Sequence, residues 1–172
     1  MTQTATTTAA KAPLQQVLQI AVVVEDLEKA MATYWEVFGI GPWQIYTLQP
    51  PEMTDATVRG RPQPYSMRLA LAMVGNLQWE LIQPLTGESI YKEFLQQRGG
   101  GLHHIACTVP DYEQASQALR QRGMPGLMGG TWRGVLYQYF DTEKVLGTIV
   151  ELFNHPPDFV MPPPEATYPP AS

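Results

Sequence analysis

The sequence predicts an α+β fold made of two tandem βαβββ modules whose curved sheets surround a cleft. The main observation is an internal repeat, in which residues 19–30 align with residues 104–115 and six of the twelve positions are identical. In each copy, a short run rich in strand-forming residues reaches an aspartate, Asp26 or Asp111, that is suited to capping a helix. The same strand–helix unit therefore occurs twice.

The elements that follow each aspartate complete the two modules. Apolar residues at helical spacing predict a first helix that ends at Gly39, and a weaker pattern predicts a second that ends at Gly123. Three strand candidates follow each helix, at residues 43–48, 65–74 and 77–83 in the first copy and at residues 126–130, 135–141 and 148–154 in the second. A further helix at residues 89–97 leads through three glycines into the second copy.

These patterns divide the chain into four parts. Residues 1–12 are expected to be disordered, residues 13–98 form the first module with its connecting helix, and residues 99–155 form the second. Residues 156–172 are rich in proline, which favours either disorder or an extended strap on the surface.

Composition excludes several classes of function. The 172 residues carry a net charge of -5 and no basic stripe, so nucleic acid is not an expected partner. With a single cysteine, Cys107, no intramolecular disulfide can form. No apolar stretch reaches the ~20 residues of a membrane span, and no signal-peptide pattern opens the sequence. We therefore expect a cytoplasmic protein that acts on a small molecule and does not bind membranes.

The order of the motifs resembles that of the vicinal oxygen chelate superfamily. The resemblance extends over about residues 14–154 and is carried by four segments: residues 19–27, 79–84, 101–109 and 141–152. In that superfamily, metal ligands lie on the first and last strands of each module around a metal-binding cleft. The resemblance implies four ligands here: Gln19, Glu80, His104 and Glu151. Superfamily members are often homodimers, and we expect one here.

The spacing of these residues and their chemistry are consistent with this assignment. Glu80 follows Gln19 by 61 positions and Glu151 follows His104 by 47, and a proline-rich insertion at about residues 49–64 accommodates the difference. Each glutamate interrupts an apolar strand, where a buried carboxylate is costly unless it is paired or bound to a cation. Two carboxylates, an imidazole and an amide oxygen suit Zn²⁺, Ni²⁺, Co²⁺ or Mn²⁺.

Four aromatic side chains, Trp43, Tyr46, Trp132 and Tyr137, are candidate walls of the substrate pocket, although each could instead be a core residue. Two-residue alternation places His103 and His104 on opposite faces of a strand, which predicts that His103 either points outward or supports the ligand His104 from behind. His155 is expected to end a strand and not to bind the metal.

The ligand set predicts a metal-dependent isomerase or lyase of the glyoxalase/epimerase type. Such an enzyme removes a proton next to a carbonyl and stabilises a metal-bound enolate, with Glu151 as the first candidate for the base and Glu80 as the second. Residues typical of glyoxalase I and of methylmalonyl-CoA epimerase are only partly present, so the substrate stays open. One alternative is a metal-free protein that binds or sequesters a small molecule. A less favoured one is an extradiol-type dioxygenase, because Gln19 stands where its iron ligand would be histidine.

Overall fold

A computed structural model describes residues 10–170 of the chain. The first half of the sequence forms β1 (Gln16–Val23), α1 (Leu27–Phe38), β2 (Trp43–Leu48), β3 (Met53–Val58), β4 (Arg61–Pro62), β5 (Met67–Val74), β6 (Leu77–Pro84) and α2 (Ile90–Arg98). The second half forms β7 (Gly101–Thr108), α3 (Tyr112–Gln121), β8 (Gly126–Trp132), β9 (Val135–Phe140), α4 (Glu143–Leu146), β10 (Ile149–Asn154) and β11 (Ala166–Tyr168).

The strands form one open sheet with an internal two-fold pattern. In the described range its order is β11-β2-β5-β6-β1-β7-β10-β9-β8-β3-β4. The first module contributes β2-β5-β6-β1 and the second contributes β7-β10-β9-β8 in mirror order. Within each module the first strand pairs in parallel with the last, and β1 joins β7 in antiparallel fashion. The predicted α+β fold with two βαβββ units is confirmed.

Local sequence explains where the two main helices begin. The carboxylate of Asp26 accepts a hydrogen bond of 2.9 Å from the backbone N–H of Lys29 at the start of α1. The repeat-equivalent Asp111 accepts one of 2.9 Å from Gln114 at the start of α3. Gly39 ends α1 with a φ of 67°, a left-handed conformation that costs glycine little. Both copies of the repeat therefore contain a helix that begins with an aspartate cap at the same position.

Three apolar clusters hold the sheet and helices together. One lies beneath α1 and includes Leu27, Met31 and Trp43. A second lies beneath α3. The third and largest covers the opposite face of the sheet, where Tyr91 of α2 packs with residues from both modules. The face of the sheet that this third cluster covers also carries the candidate site, so the site and the main core share one side of the sheet.

Both segments outside the repeat add strands to the sheet edges. The insertion at residues 49–64 contains the β3–β4 hairpin, and β3 pairs with β8 of the other module. The proline-rich tail runs from the end of β10 to the far edge, where β11 pairs with β2. Residues 1–9 lie outside the described part, and the carbonyl of Ala10 already accepts a hydrogen bond from Arg122. Within residues 10–170, no helix is long and apolar enough to cross a membrane.

Candidate active site

The four central strands each contribute one candidate ligand. In the pairing register, Glu80 on β6 and His104 on β7 both lie opposite Ala21 of β1. Gln19 on β1 and Glu151 on β10 both lie opposite Ala106 of β7. Residues directly opposite one another on neighbouring strands point to the same face of a sheet. The structure therefore brings all four side chains together around two small alanines, each of which is fully buried.

Two β-bulges bring the neighbours of this group inward. The register between β1 and β7 skips Leu18 and His103, each of which directly precedes the candidate ligand of its module. A bulge interrupts the two-residue alternation of a strand. Nδ1 of the buried His103 consequently lies 2.9 Å from Nδ1 of His104. The expectation of opposite faces is wrong, and His103 supports His104 from behind.

The side chains of this group are close together and incompletely satisfied. His104 Nε2 lies 3.2 Å from Glu151 Oε2 and 3.7 Å from Glu80 Oε2. Gln19 Nε2 donates a hydrogen bond of 2.5 Å to Gln78 Oε1. Among the residues that the structure describes, His104 Nε2, Glu151 Oε2 and Gln19 Oε1 are buried and have no hydrogen-bond partner. Buried polar atoms normally have a partner, so this cluster is costly to the fold.

Burial also shifts the protonation of the cluster towards neutrality. It raises the pKa of Glu151 to about 8, although the Tyr139 hydroxyl acts in the opposite direction. It raises the pKa of Glu80 well above its ordinary value, with a further contribution from the charge of Glu151. It lowers the pKa of His104 to about 3. Both carboxyl groups thus lack the positive charge that would stabilise their ionised forms, because the neighbouring imidazole is neutral.

The donor chemistry of these residues fits a divalent cation. All three unpartnered atoms belong to groups that bind metals: an imidazole nitrogen, a carboxylate oxygen and an amide oxygen. A bond between Nδ1 atoms requires one ring to donate, and donation by His104 would leave its Nε2 lone pair free. Within residues 10–170, however, no set of three or more His, Cys, Asp or Glu side chains stands in a ready metal-holding arrangement. The side chains that could bind a metal are close together, but they contact one another.

A cavity opens over the cluster and has two parts. The outer chamber, of about 380 Å³, includes Gln19 and Glu80 in its wall. A narrow inner recess of about 60 Å³ continues to Glu151 and Tyr139. The outer wall is mainly apolar and includes Leu48, Leu71, Met73, Phe153, Phe159 and Met161. A small molecule in the chamber would thus present one end to the carboxyl groups and its remainder to hydrocarbon.

The four predicted aromatic walls separate into two groups. Trp132 lines both chambers and Tyr137 lines the inner recess. Tyr46 is on the cavity face of the sheet but packs within the core and does not reach the lining. Trp43 points to the opposite face, where it packs beneath α1, so its prediction as a pocket wall is wrong. His155 lines the outer chamber and contacts Phe153 and Phe159.

A pair of buried tyrosines beside Glu151 was missed from the sequence. The Tyr91 hydroxyl donates a hydrogen bond of 2.5 Å to the Tyr139 hydroxyl, which leaves the Tyr139 proton available for Glu151. Tyr139 also packs against the His104 ring, with a centroid separation of 4.8 Å. Alternation along β9 from the predicted Tyr137 would have identified Tyr139. Tyr91 approaches from α2, and no sequence pattern places that helix over the site.

Sequence comparison relates this arrangement to known proteins. The mitochondrial methylmalonyl-CoA epimerase of Mus musculus is 29% identical over 109 residues, which is 63% of this chain and 53% of the relative. The Bos taurus epimerase is 30% identical over 104 residues, 60% of this chain and 51% of the relative. The chain thus spans about half the length of these curated relatives.

Solved structures share the fold. Methylmalonyl-CoA epimerase from Mycobacterium tuberculosis matches with a TM-score of 0.62 at 20% identity, over 88% of this chain and 95% of that one. The Streptomyces coelicolor epimerase in complex with 2-nitronate-propionyl-CoA matches with a TM-score of 0.61 at 19% identity, over 82% and 97%. A family model, the Glyoxalase/Bleomycin resistance protein/Dioxygenase superfamily, matches residues 18–136. The chain belongs to this superfamily.

Proposed function

We propose that this protein is a divalent-metal-dependent isomerase or lyase of the glyoxalase/epimerase type. It would remove a proton from a carbon next to a carbonyl group and return it to the same or a neighbouring carbon. The observation that carries the proposal is the group of buried side chains Gln19, His104 and Glu151, each of which has a metal-binding atom without a hydrogen-bond partner among the described residues. Gln19 lines the outer chamber and Glu151 lines the inner recess. Similarity to methylmalonyl-CoA epimerases favours the same chemistry.

Gln19, Glu80, His104 and Glu151 would hold the metal. When bound, a divalent cation supplies a Lewis acid that lowers the free energy of a developing enolate oxygen. Gln78 holds the amide of Gln19 through its nitrogen, so that the amide oxygen is the free atom. His103 holds the imidazole of His104 from the opposite side. These two contacts orient the ligands before any metal or substrate is present.

Glu151 is the first candidate for the general base. It lines the narrow recess, where its buried carboxylate meets any group that enters from the outer chamber. Burial makes this carboxylate more basic than an exposed glutamate, which suits removal of a carbon-bound proton near neutral pH. Glu80 is the second candidate, because it lines both the chamber and the recess.

Tyr139 would control the proton on Glu151. Its hydroxyl receives the Tyr91 hydrogen bond and faces Glu151 with its own proton. That contact stabilises the ionised base and limits the rise in its pKa.

The test is to measure metal content and proton exchange on the same samples. Purified protein, treated with chelator and reloaded separately with Zn²⁺, Ni²⁺, Co²⁺ or Mn²⁺, is incubated in D₂O with thioesters, α-hydroxyketones and hydroxy acids. We expect one metal per chain and metal-dependent deuterium incorporation next to a carbonyl. Glu151→Gln should abolish incorporation, and the exposed Glu36→Gln on α1 should not change it. Absence of stoichiometric metal binding, or undiminished exchange by Glu151→Gln, would refute the proposal.

A metal-free binding protein is the second candidate function. It is favoured by the apolar outer chamber and by the lack, within residues 10–170, of a ready metal-holding arrangement. Such a protein should bind its ligand equally well before and after chelation. A dioxygenase would instead require iron and consume oxygen. In the described part of the chain, a single imidazole, that of His104, lies against the two carboxyl groups.

A further inference from the structure

We infer that the cleft selects an uncharged, largely apolar substrate that carries its oxygen atoms at one end, in preference to an anionic acid of the same shape. This inference rests on the proposed function for the role of the site and adds the class of substrate. It depends on the walls of the outer chamber and on the tail that closes it.

Among residues 10–170, the side chains that line the two chambers include acidic groups but no basic ones from lysine or arginine. No lysine or arginine of the described chain lines either the outer chamber or the inner recess. The polar members of the outer wall are Gln19, Asn76, Gln78, Glu80 and His155. A carboxylate that enters this chamber would therefore lose its water and gain no cationic side chain in return.

One arginine lies near the mouth but is already engaged. Arg133 forms an ion pair with Glu52, and its guanidinium group stacks over the ring of Trp132. It lines a neighbouring surface pocket with Asp158 and Phe159, not the chamber itself. Its charge is therefore already paired with the carboxylate of Glu52.

The chamber offers a neutral donor. Trp132 lines both the outer chamber and the inner recess, and its buried indole N–H has no hydrogen-bond partner within residues 10–170. An uncharged carbonyl, ester or ether oxygen can accept from this group without the desolvation that a carboxylate requires. The wall of the chamber thus suits a substrate that is mainly apolar and carries an uncharged oxygen atom.

The tail makes this chamber apolar on its remaining side. Phe159 and Met161 line it, and the Phe159 ring lies 6.3 Å from that of Trp132. The far end of the tail is fastened to β2, where the Glu165 carboxylate accepts hydrogen bonds of 2.8 and 2.9 Å from the backbone and hydroxyl of Thr47. Because both ends are held, the tail is a fixed wall that determines what fits.

The test uses a matched pair of probes, methyl mandelate and mandelate, which differ in one methyl group and one charge. Their dissociation constants are measured through the tryptophan fluorescence of the full chain in EDTA, because a bound Zn²⁺ would itself attract the mandelate carboxylate. We expect methyl mandelate to bind at least tenfold more tightly than mandelate. Binding is independent of proton exchange, so the substrate class and the proposed chemistry can fail separately.

Two variants test whether the lining of the outer chamber causes the preference for the ester. Met73→Arg adds a cation at a lining position that is 58% exposed, and it should reduce the preference for the ester at least tenfold. Val74→Arg, on the next residue of β5, adds the same charge outside the lining and should leave the preference unchanged. Equal or tighter binding of mandelate by the unaltered chain would overturn the inference. Tighter binding of propionyl-CoA than of methyl mandelate would also overturn it.

Discussion

Replacement of Glu151 by glutamine should make the metal-free protein more stable in alkaline solution. The folded-state pKa of Glu151 is raised by burial, so its protonated form is the one that the fold favours. A group of this kind contributes stability that is fully present below its unfolded pKa and is lost as the pH rises through its folded pKa. Glutamine has nearly the same shape and cannot ionise, so Glu151→Gln removes that loss.

The size of the effect follows from the two pKa values. The folded value is about 8 and the ordinary value is 4.5. At about 1.4 kcal/mol per pH unit, the loss over this window is on the order of 5 kcal/mol. This is an upper limit, because water that enters the recess would solvate the ionised carboxylate. At about 2–4 °C per kcal/mol for a chain of this size, the gain in Tm is expected to be at most about 10–20 °C.

The assay is thermal and urea unfolding of both proteins in EDTA at pH 5 and pH 9. The stabilities should be similar at pH 5, and Glu151→Gln should be the more stable protein at pH 9. Saturating Zn²⁺ should reverse the order at pH 9, because the metal stabilises a protein that retains all its ligands by RT ln(1 + [L]/Kd). A wild-type protein that is the more stable of the two in EDTA at pH 9 would refute the assignment of Glu151 as a buried acid without a cationic partner.

Two further predictions concern the groups that touch the candidate ligands. His103→Phe keeps a ring against α2 but removes the contact to His104 Nδ1, and it should weaken Zn²⁺ binding by about 10–100-fold in a competition titration with the fold intact. Unchanged affinity would mean that His103 only fills space. Tyr139→Phe removes the hydroxyl that holds down the pKa of Glu151, so the acidic limb of the pH–rate profile should move to higher pH. If the acidic limb stays at the same pH, the Tyr139 hydroxyl does not affect the pKa of the catalytic base.

The internal repeat accounts for most of what could be predicted from the sequence. Because residues 19–30 and 104–115 share a register, Gln19 and His104 had to occupy equivalent places, and the same frame aligned Glu80 with Glu151. Local signals were also sufficient for the ends of α1 and for the tight turn between β5 and β6. These features depend on residues that are near each other in the chain or are repeated within it.

The failures have physical causes of two kinds. The sequence does not predict the side on which Trp43 lies, because both faces of β2 are buried and its pattern of apolar residues does not distinguish the helix side from the cavity side. His103 was misplaced because a bulge depends on the register between two strands and leaves no local signal. The pairing of β3 with β8 and of β11 with β2 joins distant segments, and local propensity does not report such contacts.

The two alanines at the centre of the site explain why four polar side chains can share one sheet face. Ala106 lies on β7 directly opposite both Gln19 and Glu151, and Ala21 holds the equivalent place opposite Glu80 and His104. Ala106→Val would add two methyl groups between two candidate ligands, which should cost about 1–3 kcal/mol of stability and at least tenfold in Zn²⁺ affinity. The comparison is made by urea unfolding and metal titration. A variant that loses stability but binds Zn²⁺ with unchanged affinity would show that the Zn²⁺ site does not lie between these ligands.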